Sequence, residues 1–282
     1  MRGNRKMKFK IITDSSANIM SMEVVAFASV PISIYAGDKV YVDNQALDPV
    51  EMTEELLAYK GKTSTACPSV EDWMAEFEGY DEIYVVTLTG TMSGTYNSAV
   101  LAKDIYQEEH AEVKIEIVDS LSTGPEMHLL LDQILEWKKA GKTFEEVCEW
   151  IKEYKTHTRL FFSLASVHNL VENGRLNRLV GAAIGKLGIC LVGTASEKGE
   201  LEVLSKCRGE KKTLLSYLEH IEKAGYKGGK IYISHVSNEA LAMALKAALI
   251  EKYGEVPIEI YPTRGLCSYY AEKQGMLVGV EC

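Results

Sequence analysis

The chain has 282 residues, 46% of them apolar and 25% charged, a balance that excludes disordered, collagen-like and coiled-coil chains and allows one large domain or two of ordinary size. Its 31 basic side chains against 40 acidic ones leave a formal charge of −9. Nucleic acid and anionic membrane surfaces are therefore poor partners, since both are bound chiefly by neutralising negative charge, and an anionic ligand must be held by local means.

Met1 to Met7 is basic, but the Phe9–Ile12 run that follows is too short for the apolar core of a signal peptide, so a cytoplasmic, unexported chain is expected. Lys8 to Ile12 reads as a strand entering Thr13-Asp14-Ser15-Ser16. The most apolar window, Ile19 to Tyr35, is interrupted by Glu23 and Pro31 and falls short of the ~20 apolar residues of a membrane span, so no stable membrane insertion is expected. Asp48-Pro49-Val50-Glu51 offers an N-cap, a proline at the first helical position and an acid in the first turn. Lys62 to Ser69 is rich in hydroxyls (Thr63, Ser64, Thr65, Ser69), and a helix starts with Ser69-Val70-Glu71-Asp72.

Tyr80 to Leu88 is a second strand, running into a loop with four hydroxyl residues, Thr89, Thr91, Ser93 and Thr95, and two glycines, Gly90 and Gly94. That loop opens a helix carrying Ala99, Ala102, Ile105 and Tyr106. Val113 to Val118 is a third strand, ending in Asp119-Ser120 before the helical pattern Met127, Leu130, Leu131, Ile134. Thr143-Phe144-Glu145-Glu146 is a capping box ahead of a further helix. Strands alternating with helices predict an N-terminal three-layer α/β/α unit with a mainly parallel sheet.

Beyond His157 strands predominate: Leu160–Leu164, Ile189–Thr194, Leu201–Ser205, Lys230–Ser234, Pro257–Tyr261 and Met276–Val280, with long helices only around Lys211–Ala224 and Asn238–Lys252. The turn Ser196-Glu197-Lys198-Gly199 between two strands marks a hairpin. A C-terminal two-layer α/β unit with a mixed or antiparallel sheet is expected, dividing the chain at 1–157 and 158–282.

The six cysteines lie 15 or more residues apart and the six histidines form no metal-binding pair, so free thiols and no metal or other cofactor are expected. In a parallel sheet the strand ends gather Asp14, Ser15, the Thr89–Thr95 loop and Ser120 into one crevice, where ligands of open α/β sheets bind. Hydroxyls with the free N–H groups of a helix start hold an anion without a basic residue, although Ser, Thr and Asp also cap helices for purely structural reasons. Enzyme motifs come close and fail. Gly90-Thr91-Met92-Ser93-Gly94 is one position off a nucleophile elbow and has no evident histidine base. Gly181-Ala182-Ala183-Ile184-Gly185-Lys186 is one residue short of a P-loop and is followed by Leu187. Asp14 and Asp119 are candidates for a carboxylate pair, or for loop organisers.

From Ile12 to about Val280 the chain resembles the DegV family of bacterial fatty-acid-binding proteins. The resemblance rests on Thr13-Asp14-Ser15-Ser16, on Val30-Pro31-Ile32 with Val42-Asp43, on Thr65-Ala66-Cys67-Pro68-Ser69, on Met92-Ser93-Gly94-Thr95-Tyr96-Asn97-Ser98-Ala99, on Val118-Asp119-Ser120, and on Asn173-Gly174-Arg175-Leu176. It implies two α/β domains with one long-chain fatty acid between them, the carboxylate held by the Thr65 and Ser93 hydroxyls and the Ser93 and Gly94 N–H groups. It also implies presentation of that acid to a separate fatty acid kinase that makes an acyl phosphate, with Arg175 and Arg208 at partner-docking positions. The family pattern is broken at Ala66, at Ile189-Cys190-Leu191 and, with most consequence, near the C-terminus. Where many members carry a histidine that reaches the carboxylate, this chain reads Arg264-Gly265-Leu266-Cys267-Ser268-Tyr269-Tyr270, leaving Ser268, Tyr269 or Tyr270 as replacement donor. A different class stays open beside the carrier: a Ser93-dependent esterase or acyltransferase, or a phosphotransfer component.

Overall fold

The computed structural model describes residues 8–178, 184 and 188–282. Met1–Met7 and all of the near-P-loop except Ile184 therefore lie outside the described residues.

Strands β1 (Phe9–Asp14), β2 (Ala26–Val30), β6 (Glu82–Thr87) and β7 (Lys114–Asp119) form a parallel sheet in the order β2-β1-β6-β7. Its register places Ile12 beside Val85 and Val85 beside Ile117. Central strands buried on both faces read as continuous apolar runs, as in β6, where Ile83, Tyr84, Val85 and Val86 are all fully buried. One face packs on Trp73 of α2 (Val70–Ala75) and on Ala99, Ala102 and Tyr106 of α3 (Thr95–Glu109). The other packs on Met127, Leu130 and Ile134 of α4 (Pro125–Lys139) and on Val147 and Ile151 of α5 (Phe144–Tyr154). These are the three layers the sequence predicts. The expected caps are present: Asp48 accepts from Val50 N and Glu51 N at the start of α1 (Pro49–Ala58), and Thr143 with Glu146 closes the capping box of α5.

The later strands β8 (Thr158–Leu164), β9 (Ile189–Ala195), β10 (Leu201–Arg208), β11 (Ile231–His235), β12 (Ile258–Pro262) and β13 (Met276–Glu281) form one mixed sheet, ordered β10-β9-β8-β13-β11-β12. Every pairing in it is antiparallel except β11 with β12. Helices α7 (Glu210–Lys223) and α8 (Glu239–Tyr253) cover one face through Tyr217, Ile221, Leu241, Leu245 and Leu249. The opposite face carries Leu160, Phe162 and Leu164, and α4 lies between this sheet and the parallel one. The β9–β10 turn closes as a hairpin, with Ser196 N bonded to Glu200 O.

Two features were not legible in the sequence. β3 (Ser33–Ala36), β4 (Lys39–Val42) and β5 (Thr63–Ala66) build a separate antiparallel sheet, β4-β3-β5. The hydroxyl-rich segment before α2 is thus itself a strand, and its alternation turns Thr63 and Thr65 inward and leaves Ser64 and Ala66 exposed. Besides the five-residue α6 (His168–Glu172), a short helix α9 (Gly265–Ala271), almost wholly buried, packs from the C-terminal half onto α1 and β3.

Candidate functional site

The carboxyl ends of β1, β6 and β7 face the mixed sheet across a cavity of about 880 Å³, open mouth included. Its walls are predominantly apolar: Ile32, Leu88 and Met92 from the first half, and Leu160, Phe162, Leu164, Leu170, Leu201, Leu266 and Leu277 from the second.

A polar cluster occupies one part of the lining. Thr65 is aimed inward by the pleat of β5, and its hydroxyl lies 3.0 Å from the Tyr270 hydroxyl of α9. Cys67 follows on the same chain run, close against Gly94, where a Cβ would sit 3.3 Å from the thiol sulfur. Gly94 is the N-cap of α3; Ser93, just before it, lines the cavity with its hydroxyl 2.7 Å from Thr95 Oγ1 and accepting from Thr95 N at 3.3 Å. The first N–H groups of a helix have no intrahelical partner and carry its positive end, so a 15-residue helix opens at the cavity beside two hydroxyls. Arg175 is on the rim, donating from Nε to Met92 O at 3.4 Å and also to Asn173 O.

Of the residues singled out from the sequence, Thr65, Thr89, Ser93, Arg175 and Tyr270 line this cavity and Gly94 adjoins it. Seven others stand outside it. Ser64 is exposed on the other face of β5. Asp14 is fully buried, accepting from Ser16 N at 2.9 Å and Leu88 N at 2.6 Å; burial pushes its carboxyl up to about 6 against these bonds. The Ser15 hydroxyl accepts from Ile32 N, and that of Ser120 donates to Ser122 O and accepts from Ser122 N. Ser268 is bonded to Thr263 Oγ1 at 2.7 Å, and Tyr269 to Thr63 and Asn173. All of these but Ser64 have their polar groups engaged inside the fold. Arg208 is exposed at the end of β10, seven residues beyond Leu201 at the cavity.

Asp14 and Asp119 do not form an acid pair. Asp119 accepts from Gly90 N and Leu121 N, so both carboxylates organise loops. A third, Asp43, is more consequential. It is fully buried and accepts from Gly265 N and Leu266 N, each at 2.8 Å, which fixes the start of α9 to the first half; burial raises its carboxyl as well. One turn further along α9, Tyr270 reaches Thr65. Of the three replacement donors, Tyr270 is therefore the one at the cavity. Its neighbours Ser268 and Tyr269 share the sequence signal but face other parts of the fold, a distinction that depends on the unrecognised helix α9.

None of the six histidines lines the cavity, and His235 accepts from Asn238 N as a turn organiser. Among the described residues no group of three or more His, Cys, Asp or Glu is placed to hold a metal ion, and no helix is long and apolar enough to cross a membrane. All six cysteines are free.

Comparison with known proteins gives a consistent picture. A family model described as uncharacterised proteins of the DegV family matches residues 8–280. A DegV domain-containing protein of Streptococcus pneumoniae is 44% identical over 279 residues, 98% of this chain and 99% of its own. Two crystal structures are similar in both sequence and fold. The S. pneumoniae Fatty Acid Kinase B3 protein loaded with linoleic acid has a TM-score of 0.96 and 44% identity, covering 98% of this chain and 99% of its own. A Eubacterium eligens protein loaded with heptadecanoic acid has a TM-score of 0.95 and 42% identity, covering 97% and 99%.

Proposed function

The chain belongs to the DegV family, and from that premise we propose that it binds one long-chain fatty acid between its two halves, residues 1–157 and 158–282, and presents the carboxylate to a separate fatty acid kinase. The observation that carries this reading is the pairing of an apolar cavity with one hydroxyl cluster at a helix start. Burial of about 14 methylenes at ~0.8 kcal/mol each supplies roughly 11 kcal/mol of gross driving force, from which association and ordering subtract several. The apolar walls provide affinity and the head-group cluster provides orientation.

A carboxylate drawn out of water needs several donors. Thr65, Ser93, the Ser93 and Gly94 N–H groups and Tyr270 meet that need. Tyr270 stands in for the histidine that the family resemblance leads one to expect. Arg175 at the rim and Arg208 on β10 are exposed cations suited to docking the partner enzyme. The fatty acid is the ligand and no further cofactor is required. The deciding experiment is mass spectrometry of an organic extract of the purified protein. A stoichiometric fatty acid is the expected result; a protein that is ligand-free and takes up no fatty acid on incubation removes the proposal, and ester turnover lost in Ser93→Ala replaces the carrier with a serine hydrolase.

A further inference from the structure

The mixed sheet forms the cavity wall opposite the parallel sheet, and one side chain in it is shaped by its neighbour in an unusual way. Along β8 the pleat sends Leu160, Phe162 and Leu164 toward the cavity and Phe161 into the core under α7 and α8. Phe162 is paired in register with Gly193 of β9, which in turn pairs with Val203. A Cβ at position 193 would come within 2.6 Å of Phe162 Cε2 and 2.5 Å of Glu202 O. The ring therefore lies down over the glycine, in space that any other residue would fill, rather than standing into the cavity. Just beyond, the register of β10 slips between Val203 and Ser205, a bulge that bends the wall locally.

We propose that Phe162, seated on Gly193, sets the depth of the cavity and thereby the acyl-chain length that this protein selects. The inference rests on the fatty-acid reading above and adds to it a residue that decides among ligands. A ring held flat gives a fixed, rigid floor; a leucine in its place gives up three carbons of wall and opens that much space to the ligand. Each additional methylene buried is worth about fourfold in affinity.

The test is displacement of a fluorescent fatty acid from delipidated protein by saturated acids of graded length, for wild type, Phe162→Leu, Phe162→Trp and Phe161→Leu. The tightest-binding acid is expected to lengthen by about two carbons in Phe162→Leu and to shorten in Phe162→Trp, because one removes wall and the other adds it. Phe161→Leu, on the same strand but facing the other core, is expected to lower stability and leave the preferred length in place. If a folded Phe162 variant keeps the wild-type optimum, or Phe161→Leu shifts it equally, Phe162 is not the determinant. Should one Phe162 variant fail to fold, the other still decides by the direction of its shift. Wild type displaced by none of the acids overturns this proposal together with the carrier reading, an outcome distinct from an unmoved optimum.

Discussion

Replacing Thr65 by Val and Ser93 by Ala removes the two hydroxyls that the cavity presents at the start of α3 while keeping shape nearly constant. A hydrogen bond to a charged group contributes about 1.5–3 kcal/mol, so two of them amount to roughly 3–6 kcal/mol of binding free energy. At about 1.4 kcal/mol per tenfold, the double variant should bind a fatty acid some 10²- to 10⁴-fold more weakly. The fold should survive, because neither hydroxyl is bonded into a core network. Among the described residues, Thr65 Oγ1 is bonded only to Tyr270, at 3.0 Å, and Ser93 Oγ only to the hydroxyl and N–H of Thr95. Their loss costs about 1 kcal/mol each at most, a shift of a few degrees in Tm. Titration calorimetry on delipidated protein measures the affinity, and a thermal melt checks the fold. The apolar contribution is untouched, so binding should stay saturable at higher ligand concentration. Affinity within threefold of wild type in a folded double variant would refute the head-group assignment and leave Arg175 on the rim as the principal anion ligand.

Other consequences follow from the buried carboxylates and the rim. Asp43→Ala strands the Gly265 and Leu266 N–H groups, each a buried donor worth about 1–3 kcal/mol when unpaired; the urea midpoint should drop markedly and fatty-acid affinity should fall with it, since α9 carries Tyr270. An unchanged midpoint would show that Asp43 does not anchor the helix. Asp14 titrates at about 6 in the folded chain against an ordinary 3.8, so the folded state binds its proton more tightly than the unfolded one. The stability it contributes is complete below about pH 4 and is lost as the pH climbs through 6, by roughly 3 kcal/mol in all. Asp43, raised in the same direction, adds the same sign. Urea unfolding between pH 4 and 7 should therefore show a shallower pH dependence in Asp14→Asn than in wild type, and equal slopes would count against the shift. Charge reversal at Arg175 and Arg208 together should weaken coupling to a fatty acid kinase in a salt-sensitive way with acid affinity nearly unchanged; full acyl phosphate formation by the double variant would dismiss them as docking residues.

The sequence made the parallel and mixed sheets legible because both use long, strongly patterned segments: the continuous apolar run of β6, the capping boxes, the Ser196–Gly199 turn. The small sheet β4-β3-β5 escaped because its strands are four residues each, too short for a period-2 pattern to stand out, and because Thr63-Ser64-Thr65-Ala66 is also what a capping loop looks like. That one reassignment separates Thr65 from Ser64, since adjacent strand residues face opposite sides. Helix α9 escaped for a different reason. Gly265, Leu266, Cys267, Ser268, Tyr269 and Ala271 are all buried, so the segment has no amphipathic stripe, and its location against β3 depends on Asp43, more than 200 residues away in the chain. Local signals do not carry such a contact, and with it went the choice of Tyr270 over Tyr269.

A chain with a net charge of −9 repels an anion at long range, so a carboxylate site in it has to manage its own acids. Asp14, Asp43 and Asp119 are the acids nearest the strand ends, and each accepts backbone N–H groups from two different residues. Bonds of this kind spread the charge of a carboxylate over local dipoles, and burial of Asp14 and Asp43 works further against their ionisation. None of the three lines the cavity, although Glu200 of the β9–β10 turn does. The acids shape the loops, and the loops in turn aim hydroxyls and a helix start at the cavity. The reverse arrangement, with serines as loop organisers and three aspartates in the lining, would use the same residue types and oppose an anionic head group. What distinguishes the two is which side chains the β5 pleat and the α9 anchor turn inward, so the anion site proposed for this acidic protein is a property of its geometry rather than of its composition.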